Sequence, residues 1–223
     1  MLELVGQVLP LALAVSISPV QIVAVILLLF SEQPRPNATA MVAGFVVGVA
    51  AVLGALVVLA SWQHLGSSST TSSGIAWGQL AVGVALLGLA ARKFRRRPGP
   101  DDEPSAPAWM DGLQSFSPGR SLLAGLALGA ANPKLVALGL AAAAVIASAG
   151  VPVHEQVLVV VVYTLVGTVG VAAPLVVATV MGERADPLLD RWRIWLELHN
   201  AVVMAALFAV FGVVLVVGAV PAL

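Results

Sequence analysis

Six apolar stretches constrain what this chain can become: Leu4 to Phe30, Thr39 to Trp62, Ile75 to Ala91, Ser121 to Ala147, Gln156 to Met181 and Ala201 to Val220. A helix needs roughly 17 to 25 mostly apolar residues to cross a bilayer, and each stretch is near or above that length. Water is a poor solvent for so many of them. The 223 residues are 60% hydrophobic and only 10% charged, too little polar side chain to cover a soluble globule. A closed barrel is excluded as well, because no ten-residue alternation of polar and apolar side chains occurs. The sequence therefore predicts an all-α integral membrane protein, one transmembrane domain over residues 1–223 with six spanning helices. The early "LALAVS" resembles a signal-peptide cleavage site. No basic region precedes it and the apolar run continues to Phe30, so it reads as the first helix.

Lysine and arginine set the orientation. With six crossings, ten of the eleven basic residues fall in or beside the loops on one side: Arg35, then Arg92, Lys93, Arg95, Arg96, Arg97 and Arg120, then Arg184, Arg191 and Arg193. The positive-inside rule makes that side cytoplasmic, so both termini and the "SSSTTSSG" loop face outward across the plasma membrane. An odd number of helices would split the basic loops between the two faces. The Pro-rich, charged stretch over 92–119 reads as a cytoplasmic linker whose basic run meets anionic lipid headgroups. In "DPLLDRWRIWLELH", Asp186 is expected to cap and Pro187 to open an amphipathic helix lying flat on the interface, with Leu188, Trp192, Trp195, Leu196 and His199 on one face. Asn200 would then cap the last helix. Trp109, Leu113 and Phe116 suggest a smaller interfacial helix before the fourth span.

The eleventh basic residue breaks the pattern. Lys134 is the one charged side chain between Ser121 and Val153. It lies about 21 Å past Arg120 at about 1.5 Å per residue, near the middle of a hydrocarbon core about 30 Å thick. A lysine there costs about 2.5–3.5 kcal/mol on insertion scales and must face the bundle interior or a wet cavity. Asn132 and Pro133 just ahead of it are a capping side chain and a first helical residue that needs no donor. The fourth segment is thus expected as two half-helices, the second starting at mid-membrane. Its free N–H groups and partial positive charge, with Lys134, would form an anion site. The alternative is a lysine that only caps the carbonyls of a neighbouring helix.

The first segment repeats the device 114 residues earlier, with Ser18 as cap and Pro19 as first residue. Gln21, one turn further, would point at the same cavity or bond to another helix. Two three-helix repeats, 1–91 and 120–223, necessarily run in opposite directions. Interrupted segments at matching positions in such inverted repeats point to a transporter's midplane site. "VGVAA" also recurs, at Val47 to Ala51 and Val169 to Ala173. Candidate substrate-binding residues are Lys134, Asn132, Pro133, Ser18, Pro19 and Gln21. Pro174 is expected to kink the fifth helix. The pairs Gly44/Gly48 and Gly125/Gly129 allow close helix contact, inside the bundle in preference to a homodimer seam.

Composition removes several functions. Eleven basic and eleven acidic residues leave no net charge and no electrostatic footprint for nucleic acid. The absence of cysteine removes disulfides, thiolate metal sites and dithiol redox chemistry. No Asp or Glu lies inside the six segments, Glu3 and Glu155 being at their ends, which disfavours a hard-cation site. No nucleophile with a base partner can be assembled in the membrane, so neither an enzyme nor a cofactor is expected.

"SISPVQIVAVILLLFS", "AANPKLVALGLAAAA", "GVAAPLVV" and "LHNAVVMAALFAVFGVVLV" together resemble the glycolipid-addressing (GAP, or sulfolipid-addressing) family of the lysine-exporter (LysE) superfamily. The resemblance covers nearly the whole chain and is weakest over 92–119. Relatives that export lysine or homoserine tend to have Pro-Gly-Pro in the first helix, where this chain has Ser18-Pro19-Val20. That difference fits the lipid branch better than a free amino acid. The resemblance implies a transporter or flippase that moves a lipid or glycolipid toward the cell surface. Export of a small metabolite, and a non-transporting scaffold for lipid-synthesis enzymes, are the alternatives.

Overall fold

A computed structural model describes residues 1–66, 72–95 and 112–220. Residues 67–71 of the "SSSTTSSG" loop and 96–111 of the linker, Trp109 among them, lie outside the described residues. Regular structure among the described residues is helical: α1 (Leu2–Ser16), α2 (Pro19–Leu29), α3 (Pro34–Gly66), α4 (Ser72–Arg95), α5 (Pro118–Ala130), α6 (Pro133–Ser148), α7 (Val153–Met181) and α8 (Asp186–Ala219). By length and hydropathy two stretches can cross a membrane, or four when each bent pair counts as one span. This is an all-helical membrane protein.

Both proline breaks fall where the sequence places them. α1 and α2 meet at a bend of 51° across Ile17-Ser18, and α5 and α6 at 56° across Ala131-Asn132. Proline lacks the N–H that the carbonyl four residues earlier would take, so each helix ends and restarts. Glycines in the left-handed region stop two other helices: Gly150 (φ 63°) follows α6 and Gly182 (φ 57°) ends α7, a conformation that costs glycine little.

Helix directions follow from close backbone contacts. Gly44 lies against the Leu122 carbonyl and Gly125 against that of Met41, while a Cβ on Gly48 would come within 2.7 Å of Leu126 O. Advancing along α3 advances along α5, so the two are parallel. The glycine pairs predicted to permit close contact are thus used against each other within the chain. α1 and α7 also advance together, with Val15 at Gly167 and Ser16 at Gly170. α4 and α8 are antiparallel, Gly83 meeting Val216 and Leu87 meeting Gly212. Inward faces follow helical spacing, as in Leu4, Val8, Ala12 and Val15 of α1, all buried. Outward faces stay apolar and exposed, as in Leu165, Val169 and Val180, which suits lipid contact.

The segment before the last span differs from expectation. α8 runs unbroken from Asp186 to Ala219, preceded by a 3-10 turn at Gly182–Ala185, with Ala185 as N-cap. Asp186 is therefore inside the helix and Asn200 is mid-helix, its Oδ1 buried without a partner. No separate interfacial helix forms, because the segment packs against α2 as a continuation of the last helix. Its packed face centres on Leu189 and Trp192 against Ile26 of α2. Trp195 is exposed and stacks on His199. Near the other loop, Leu113–Ser115 is a single 3-10 turn with Leu113 fully buried, in place of the expected amphipathic helix. Asn37 fastens that turn to the first half by donating to Phe116 O (2.8 Å) and Ser31 Oγ (2.9 Å).

Candidate functional site

The two breaks meet through one side chain. Lys134, second residue of α6 and 6% exposed, donates from Nζ to the Ile17 carbonyl at 2.6 Å and to Ser18 Oγ at 3.3 Å. In an unbroken helix the Ile17 carbonyl would accept from the Gln21 N–H. The bend at Pro19 releases it, and the lysine takes it. No carboxylate among the described residues pairs with Lys134; the ion pair found is Arg193–Asp190 (2.8 Å), on α8. An ammonium has three donors, so two contacts leave one direction open.

Asn132 behaves as predicted. It occupies the N-cap of α6, its Oδ1 accepts the Lys134 N–H at 3.0 Å, and Pro133 is the first helical residue. Pro19 likewise opens α2. Ser18 holds the N-cap position but gives no side-chain cap, which corrects the expectation. Its hydroxyl instead donates to the Val15 carbonyl at 2.7 Å, the acceptor that Pro19 orphans by having no N–H. Hence the Val20 and Gln21 N–H groups, which a serine cap would have taken, are left uncapped by it. Gln21 is 2% exposed and its Nε2 has no hydrogen-bond partner. Of the two alternatives for Gln21, facing the cavity or bonding to another helix, the Nε2 group makes no bond of the second kind.

Beside the junction is a small cavity of ≈ 10 Å³ bounded by Val15, Val49, Gly129, Leu135, Gly139 and Tyr163, among others. That is room for about one water, so the arrangement is closed to any headgroup. A roomier cleft of ≈ 400 Å³ lies at the far end of α2, between Leu27, Phe30 and the first turns of α8. Nine residues separate Ser18 from Leu27, roughly 13 Å of helix, so this cleft is not part of the junction.

A family model described as Sap, sulfolipid-1-addressing protein, matches residues 8–220. The chain belongs to the sulfolipid-1-addressing protein family. No curated protein and no solved structure matches it. The matched span contains both breaks, so Ser18, Pro19, Gln21, Asn132, Pro133 and Lys134 all lie within the region shared with that family.

Two residues at the site were not singled out from sequence. Ser16 Oγ accepts the Gly170 N–H at 2.9 Å, joining the end of α1 to α7 one turn before Pro174. Nothing in the serine's neighbourhood announces a contact 154 residues away. Tyr163 carried a usable signal: it is the single tyrosine of the chain and sits within an apolar segment.

Proposed function

We propose that the protein is a lipid exporter or flippase of the plasma membrane, with six spans in two inverted halves and both termini extracytoplasmic. It binds the anionic or polar headgroup of a lipid or glycolipid, and the family's name favours a sulfolipid. The observation that carries this reading is Lys134: a buried ammonium with no carboxylate partner among the described residues, where two half-helix starts converge. A buried charge without a counter-ion is costly, and an anionic headgroup supplies the counter-ion. The uncapped N–H groups at the start of α2 add partial positive charge facing the same junction.

Helix directions support the inverted halves. Numbered from the breaks, Ser16 and Ala130 each lie three residues before the proline, and they touch Gly170 and Gly48, which occupy the same place in the two "VGVAA" copies. The second helix of each half thus packs against the first half-helix of the other. That is the geometry in which one half can rock against the other around a fixed midplane site. The reading needs no covalent step and no cofactor. Because Gly44/Gly48 and Gly125/Gly129 are engaged within the chain, a homodimer would use another face.

The Ile17 carbonyl as a lysine acceptor favours the rival reading, a structural lysine in a scaffold for lipid-synthesis enzymes. Lys134→Gln separates them, since an amide can still donate to Ile17 but carries no charge. Thermal unfolding in detergent, with and without a sulfated galactosyl lipid, is the test. The lipid should stabilise the wild type and leave both Lys134→Gln and Lys134→Met unmoved. Equal stabilisation of wild type and Lys134→Gln would refute the anion site and return the lysine to a structural role.

A further inference from the structure

On one side of Lys134 lies the unpartnered Nε2 of Gln21; on the other lies an unpartnered phenol hydroxyl. Tyr163 is 1% exposed, its hydroxyl has no hydrogen-bond partner, and it forms part of the wall of the ≈ 10 Å³ cavity. A buried hydroxyl without a partner is destabilising, and phenylalanine would fill the same space without that penalty. The rest of the wall is uncharged, made of valine and leucine side chains with two glycines, Gly129 and Gly139.

This cavity adjoins the junction directly. Leu135 follows Lys134 in α6, and Val15 provides the carbonyl that holds the Ser18 hydroxyl. Along the bundle axis the order is fixed by helix direction. Gly170 of α7 touches Ser16, so Tyr163, seven residues earlier, lies roughly 10 Å toward the α1 start. Gln21, three residues past Ser18, lies on the opposite side of the break. With the basic loops cytoplasmic, α7 runs inward and Tyr163 is on the outer side.

We propose, resting on the exporter reading above, that the collapsed cavity is the outward half of the substrate route and that Tyr163 is its hydrogen-bonding station. Its ligand class is a headgroup bearing neutral hydroxyls in addition to its anion. A phenol both donates and accepts, which matches a sugar hydroxyl. The absence of charge in the wall leaves the anion to Lys134. Gly129 and Gly139 interrupt a wall otherwise made of valine, leucine and Tyr163 side chains, so widening requires separation of α6 from α3 and α7.

The test is transfer in proteoliposomes of two fluorescent lipids: a sulfated galactosyl lipid, and phosphatidic acid, which is anionic but has no headgroup sugar. Tyr163→Phe should slow the glycolipid about tenfold, the worth of one hydrogen bond. It should leave any phosphatidic acid transfer unchanged and leave the melting temperature equal or higher. Gly139→Val, which narrows the cavity from another helix, should slow the glycolipid as well. Lys134→Gln should slow both lipids. Wild-type glycolipid rates in Tyr163→Phe and Gly139→Val, with Lys134→Gln still impaired, would overturn the station and leave the exporter reading standing. Equal slowing of both lipids by Tyr163→Phe would overturn the sugar-hydroxyl assignment. Transfer insensitive to Lys134→Gln would overturn the exporter reading, and this inference with it.

Discussion

Ser18 shows how one residue serves a break in two directions. Its place before Pro19 announces a helix start, yet its hydroxyl turns back to satisfy Val15 and also meets the Lys134 ammonium. Removing it orphans a buried carbonyl, a loss of about 1–3 kcal/mol. Ser18→Ala and Ser18→Gly should therefore be about equally destabilising in denaturant unfolding, while Ser18→Thr keeps a donor and stability. A capping role would instead make glycine nearly neutral, within a few tenths of a kcal/mol. At the other break Asn132 does cap, and Asn132→Ala should lose about 0.5–2 kcal/mol. The sequence made Lys134, Asn132 and the two prolines legible because each is expensive in a membrane helix unless a break explains it. It could not show that the lysine's acceptor is Ile17 O, since a backbone carbonyl has no sequence signature.

Elements pack here through backbone contact. Gly125 faces the Met41 carbonyl and Gly129 comes within 2.7 Å of Phe45 O on adding a Cβ, so neither neighbour can rotate out of the way. Gly125→Val should force α3 and α5 apart, costing about 1–3 kcal/mol or more and lowering the yield of monodisperse protein in detergent. Gly54, with nothing within 4 Å, is the control: Gly54→Ala should be neutral or stabilise by about 0.5–1 kcal/mol. Similar yields for both substitutions would contradict the close α3/α5 approach. The glycine spacing and both proline breaks could be read in advance because they are local signals. The continuity of α8 could not: "DPLLDRWRIWLELH" is amphipathic whether it lies flat or continues the span, and only its packing on Ile26 decides.

At the scale of the whole molecule, the proposal of two inverted halves rests on helix directions together with the charge distribution. Cysteines introduced at Ser69 and Ser105, both outside the described residues, should label from opposite faces, Ser69 from outside. Labelling of both from one face would contradict six crossings. The charge bias was legible because it needs only a count of lysine and arginine per loop. The small size of the cavity beside Lys134 was not, since it depends on how helices far apart in sequence meet. Transport itself is tested most directly in liposomes reconstituted with the purified protein and a fluorescent sulfated galactosyl lipid, scored by quencher access from one leaflet. Wild type should move the lipid between leaflets, and Lys134→Gln, equally inserted and folded, should slow that movement at least about tenfold, the equivalent of about 1.4 kcal/mol. Equal rates in the two proteins, or no movement above protein-free liposomes in either, would contradict export through the Lys134 junction.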